Sequence, residues 1–199
     1  MVLELVWIGL LAILAVAAWV VTRRVTTFAG RTRGLEQFQR DVTSIETRMA
    51  AVVGPLVLEL DDLRRLAGDP EAVASELEPA MASLEQLAAV ARGLRPPVPL
   101  AQRAGAIVGE LERTLRALDL LDHGLRTALA GRRETTPEAQ VALKRGTLNL
   151  RHARDAVGRL AGEIAAMHPG DVLAMPGGDR LGTVPVPPPS AYTDTIDEV

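Results

Sequence analysis

An all-α fold is predicted for this chain: one N-terminal transmembrane helix, then an antiparallel four-helix bundle or coiled-coil-like domain, then a disordered C-terminal tail. Three observations predict it. Val2 to Val21 is an almost unbroken apolar run. From Leu35 to Met167 the apolar residues recur in steps of three and four, the period of a helix with one buried face. After Pro169 that period stops, and proline, glycine and acid take over.

The first element is read as a membrane anchor over residues 1–22. Twenty residues at about 1.5 Å each match the roughly 30 Å of a bilayer's hydrocarbon core. Glu4 is the one charge inside the run. A cleavable signal would want a basic n-region and a shorter apolar stretch, and nothing basic precedes this one. Trp19, Arg23, Arg24, Arg31 and Arg33 are expected at the membrane interface, and residues 23–34 form a basic juxtamembrane segment. The arginines place the C-terminal side in the cytoplasm and the N-terminus outside, at the inner membrane of a bacterium. The bilayer is then the first expected partner.

Residues 35–168 are assigned to the bundle. The first seam runs through Leu35, Phe38, Val42, Ile45, Met49, Val52, Leu56, Leu63 and Leu66, with Glu59 as a polar intruder. Gly54-Pro55 predicts a kink or short break, because proline lacks the donor that the preceding turn needs. Gly68 ends this helix, and Asp69-Pro70 starts the second with an N-cap carboxylate and a proline in the first turn. Val73, Leu77, Met81, Leu84, Leu87 and Leu94 mark its apolar side, and Pro79 is expected to bend it. Arg95 to Pro99 is too proline-rich to be helical throughout.

The third helix follows with Ala104, Ile107, Leu111, Leu115, Leu118, Leu121 and Leu125. Gly131 closes it, and Thr135-Thr136-Pro137-Glu138 offers a capping box for the fourth. That last helix carries Leu143, Leu150, Val157, Leu160, Ile164 and Met167, with Gly146 and Ala153 as small seam residues. Similar lengths and a short connection make the last two helices an antiparallel hairpin, and the first two complete an up-down-up-down bundle. Residues 169–199, with Pro185 to Pro189 and a close of Asp194, Asp197 and Glu198, form the tail.

Composition narrows function more by exclusion than by signature. The 199 residues carry a net charge of −3, against a strongly basic nucleic-acid binder. There is no cysteine, hence no disulfide, thiolate metal site or thiol chemistry. Aromatic residues are scarce, and none stands between Phe38 and Tyr192, which speaks against a large cofactor pocket. Lys144 is the one lysine beside twenty-one arginines, since the two types together number 22. No phosphate loop, nucleophile elbow or His-Glu-x-x-His pattern occurs. Neither enzymatic activity, a cofactor nor a metal is expected.

Among His123, His152 and His168, the first stands in a suggestive setting. The stretch His123-Gly124-Leu125-Arg126-Thr127-Ala128-Leu129 resembles the phosphoacceptor box of sensor histidine kinases, His-Glu-Leu-Arg-Thr-Pro-Leu, which lies on a helical hairpin. His123, Leu125, Arg126, Thr127 and Leu129 match; Gly124 and Ala128 depart from it. The resemblance implies a phosphoacceptor role for His123 in a phosphotransfer hairpin. The leading expectation is a membrane-tethered, non-enzymatic scaffold or adaptor at the cytoplasmic face. It would act as a homo-oligomer with a protein partner and no nucleic acid; an outward-facing sensor or envelope protein is the remaining alternative. The long first seam motivates the oligomer, because it looks longer than one bundle needs.

Overall fold

The computed structural model describes residues 2–65, 68–130 and 137–174; of the side chains before residue 32 it describes those of Val16 and Trp19. The described residues form five α-helices: α1 (Val2–Arg64), α2 (Pro70–Arg92), α3 (Ala101–Ala130), α4 (Pro137–Ala165) and α5 (Pro169–Ala174). A single 3-10 turn, Val98–Leu100, links α2 to α3.

The four long helices close a ring. α1 packs on α2, α2 on α3, α3 on α4, and α4 returns to α1. The polar ties fix the directions. Gln39, near the bundle's lower end, reaches the carbonyls of Ile164 and Met167, while Asp61 at the other end pairs with Arg151. Arg92 pairs with Glu112 across α2 and α3 at 3.2 Å, and Arg103 with Glu163 across α3 and α4 at 3.8 Å. Consecutive helices therefore alternate in direction, the up-down-up-down arrangement that short connections impose.

One core fills the ring. Phe38, Ile45, Met49 and Leu60 come from α1, Leu77, Leu84 and Leu87 from α2, Ile107, Leu111, Leu118 and Leu121 from α3, and Leu150, Val157 and Ile164 from α4. Each helix buries one stripe and keeps its charges outward, the pattern that makes hydrophobic burial the main driving force here.

The transmembrane helix of the expected fold class is corrected. Among the described residues no helix is long and apolar enough to cross a membrane. The described side chains of α1 form a buried stripe flanked by charge, with Arg33, Glu36, Arg40, Asp41 and Arg48 lying off it. Such a helix is amphipathic, and a span needs about 20 consecutive apolar residues. Apart from Val16 and Trp19, the side chains of Val2 to Val21 lie outside the described residues.

α1 also differs from expectation inside the bundle. It runs through Gly54-Pro55 without a break, and α2 runs through Pro79. Both prolines are exposed, as are Ala51 and Ser75, whose carbonyls lose the helix donor, so water can satisfy them. The seam itself changes register at this point. Leu35, Phe38, Val42, Ile45 and Met49 are buried as the heptad predicts, but the next buried positions are Val53, Leu56 and Leu60. Two successive steps of four, Ile45 to Met49 to Val53, make a stutter, which resets the stripe by one residue. Glu59 thereby turns to solvent and stops being an intruder.

Leu35, Phe38, Val42, Ile45, Met49 and Leu56 of the expected seam are buried within one chain, Val52 and Leu63 are half-buried, and Leu66 lies outside the described residues, so most of the seam that motivated a homo-oligomer is used inside the bundle. The start of α2 agrees with the sequence: the Asp69 carboxylate accepts a hydrogen bond from the Glu71 amide at 3.0 Å, with Pro70 in the first turn. The capping box at Thr135 and Thr136 lies outside the described residues. Beyond residue 168 the described chain forms α5, where the Asp171 carboxylate accepts from the His168 amide at 3.1 Å and Val172 is buried. Residues 175–199, including Asp194, Asp197 and Glu198, lie outside the described residues.

Candidate interaction site

The α3–α4 pair is held together by small residues. Gly146 sits so close to α3 that an added Cβ would stand 2.6 Å from Leu121 Cγ and 3.1 Å from the Ala117 carbonyl oxygen. At Gly124 a Cβ would meet Ala142 Cβ at 3.1 Å and the Leu143 amide nitrogen at 3.2 Å. Ala117, Ala139, Ala142 and Ala153 are buried along the same two helices. Thr114 and Thr147 are buried too, each donating its hydroxyl to the carbonyl four residues back, Glu110 and Leu143. A buried hydroxyl satisfied within its own helix lets polar side chains occupy this seam.

This packing decides how His123 is to be understood. Its imidazole is 61% exposed, and Nε2 lies 3.6 Å from the Glu138 carboxylate at the start of α4. Thr127 donates its hydroxyl to the His123 carbonyl at 2.8 Å. Gly124, which stands where the histidine-kinase box has glutamate, faces α4, and a side chain there would require Ala142 and Leu143 to give way by a few tenths of an ångström. The position after His123 is therefore a helix-contact position. His152 and His168 are also exposed, and no group of three metal-binding side chains gathers among the described residues.

Of the expected membrane-interface residues, two have described side chains. Trp19 is 61% exposed and Arg33 is exposed, whereas the side chains of Arg23, Arg24 and Arg31 lie outside the described residues. With no membrane-crossing helix among the described residues, the bilayer as partner, the inner-membrane localisation and the N-out topology are corrected with the anchor.

Two features of the described surface concentrate chemistry. The first is Glu110 on α3. One of its oxygens lies 3.1 Å from the Arg113 guanidinium, while Oε2 is buried without a hydrogen-bond partner. Burial pushes its carboxyl above the usual carboxylate range, and the positive charges of Arg113, Arg159 and Arg116 oppose that shift. The half-sunk carboxyl thus stands in the field of three guanidiniums on the α3–α4 surface.

The second is the outer face of α4. Val141 and Leu148, two helical turns apart, are 48% and 50% exposed. Lys144 and Arg145 lie between them, both exposed. A shallow groove of about 460 Å³ runs beside Val141 between α3 and α4, lined by Leu120, His123, Pro137, Glu138, Ala142 and Arg145. Sequence reasoning missed this face because it sought seams, and Val141 and Leu148 fall off the seam. The spacing of seven with basic residues between was the signal available.

The charges of the ring are segregated. α4 holds Lys144, Arg145, Arg151, Arg154 and Arg159 against Glu138, Asp155 and Glu163. α2 holds Glu71, Glu76, Glu78 and Glu85 against Arg92 alone. The apolar pair on α4 therefore stands on the basic side of the molecule.

A separate cleft of about 450 Å³ opens at the end of the bundle, lined mostly by Leu60, Leu63, Pro70, Leu125, Ala128 and Leu143. It exists because α2, at 23 residues, is shorter than the 30-residue α3 and leaves the last turns of α3 uncovered. It opens beside residues 66–67 and 131–136, which lie outside the described residues. Compared with known proteins, the chain matches no family model, no curated protein and no solved structure.

Proposed function

We propose that the bundle is a non-enzymatic protein-interaction module whose α3–α4 outer face docks an acidic, amphipathic polypeptide segment. The observation that carries this reading is the Val141–Leu148 pair, half exposed at a spacing of seven, with Lys144 and Arg145 between them. Apolar side chains at that spacing fit the stripe of a partner segment laid along the helix. Lys144 and Arg145 select acids beside that stripe, giving specificity and association rate more than affinity. The rest of the ring supports a binding role over a catalytic one. Its core is aliphatic but for Phe38, and the one perturbed carboxyl among the described residues, Glu110, pairs with Arg113.

Selection from a random peptide library displayed against the full chain tests the proposal. Enriched peptides should combine aspartate or glutamate with two or three apolar residues. They should lose binding at least tenfold to the double variant Val141→Ser, Leu148→Ser. Enrichment of neutral or basic peptides, or binding indifferent to the double variant, overturns it.

A further inference from the structure

We infer that the α4 face is occupied in the resting chain by the chain's own segment Tyr192–Val199, so that partners must displace it. The inference rests on the docking role proposed for that face. Four observations converge on it.

The first is chemical complementarity. The segment places Tyr192, Ile196 and Val199 at steps of four and three, with Asp194, Asp197 and Glu198 between them. That is an apolar stripe edged by acid, the complement of Val141 and Leu148 edged by Lys144 and Arg145. The second is that the complement is unusual within this sequence. Tyr192 is the one aromatic residue after Phe38, and the interval 185–189 before it is nearly all proline.

The third is reach. α5 ends at Ala174, directly beyond the C-terminal end of α4. Leu148 lies about 26 Å back along α4 from Ala165, and Val141 about 36 Å, at 1.5 Å per residue. Residues 175–191 span up to roughly 55 Å when extended. The fourth is that the face is open. α5 packs on α1, and Val141 and Leu148 stay about half exposed.

Docking in cis costs little translational entropy, because the linker holds the segment at a high effective concentration over its site. The stripe is then shielded from unrelated apolar surfaces, and a partner with the same chemistry has to compete for it. The contact is electrostatically assisted at an exposed site, so added salt weakens it.

The natural absence of cysteine permits a clean disulfide test on the full chain. Leu148→Cys combined with Ile196→Cys, under mild oxidation at low protein concentration, should crosslink within the monomer. Glu85→Cys on the acidic α2 face combined with Ile196→Cys should crosslink at least tenfold more slowly. Equal rates for the two pairs, or a crosslink found chiefly between two chains, overturn docking in cis.

A labelled peptide of residues 190–199 separates this inference from the proposed function. It should bind a chain ending at Pro189 at least tenfold more tightly than the full chain. Equal binding to both overturns the resident tail but leaves the docking face standing. Failure to bind the shortened chain overturns the docking face for this chemistry, and the resident tail with it.

Discussion

The two halves of the ring solve the same packing problem in opposite ways. Between α1 and α2 the space is filled by large side chains: Phe38, Ile45 and Met49 from one helix, Leu77, Leu84 and Leu87 from the other. Between α3 and α4 it is closed by the near absence of side chains, with Gly124, Gly146, Ala117 and Ala142 letting the backbones approach. The first half leaves grooves of about 230 and 500 Å³ along its surface, where exposed Pro55, Pro79 and Gly93 and half-buried Gly34 line the walls. The second half leaves no space for even one added Cβ at Gly146. A filled interface is vulnerable to truncation, and a closed one to enlargement.

The largest effect is expected where both halves meet. Leu118 is fully buried in α3, and Leu118→Asp puts an unpaired carboxylate among aliphatic neighbours. Loss of the cooperative thermal transition in circular dichroism is expected. A retained sharp transition would show that the two halves do not share one core.

Truncation in the α1–α2 half comes next. Phe38 is buried at 1% exposure, and Phe38→Ala should cost about 3–5 kcal/mol, the usual range for emptying a core aromatic site. Denaturant titration reads this as a lower midpoint at unchanged slope. A cost below about 1 kcal/mol would show that the neighbouring grooves collapse to fill the cavity.

Enlargement in the α3–α4 half gives a smaller effect with an internal control. Glycine to alanine in a helix interior gains about 1 kcal/mol when space is free. Gly162 has no atom within 4 Å of its would-be Cβ, so Gly162→Ala should stabilise by about that amount. At Gly146 the same change drives a methyl into Leu121 and the Ala117 carbonyl, and overpacking of this kind costs about 1–3 kcal/mol. The two substitutions, on one helix, should therefore move the melting temperature in opposite directions. Stabilisation by both would mean that α3 and α4 have slack, and the contrast between the halves would dissolve.

The smallest effect concerns Glu110. Its folded carboxyl holds its proton more tightly than the unfolded one, because burial outweighs the arginines around it. The folded chain then binds more protons through that interval, so this group's contribution falls as pH rises from 4.5 through the raised value. Glu110→Gln should flatten that decline and leave the protein at neutral pH no less stable, about a degree or two higher in melting temperature for a small domain. Melting curves between pH 4 and 8 check this. A lower stability of the variant at neutral pH would show that the Arg113 contact outweighs burial.

The period of three and four in the sequence was enough to place four helices. Asp69-Pro70 fixed the start of α2 through a carboxylate and a proline that act locally. Such signals are legible because they depend on neighbours in the chain. The buried stripe after Met49 was not legible in the same way. Val52 and Val53 are adjacent valines, and only the direction from which α2 and α4 press on α1 selects the second. The exposed prolines likewise left α1 and α2 continuous because their freed carbonyls reach water, a property of position in the ring.

The candidate site divides along the same line. The sequence by itself determined an all-α chain, the alternation of its helices and the chemistry of its acidic terminal segment, since composition and period need no partner to act. The tertiary structure decided that the first seam is buried from Leu35 to Met49 inside one chain, that Gly124 is a contact point beside His123, and that Val141 and Leu148 are left half exposed. Each of those outcomes depends on which helix lies opposite, and a residue's place in the sequence does not encode what will stand across from it until the ring has closed.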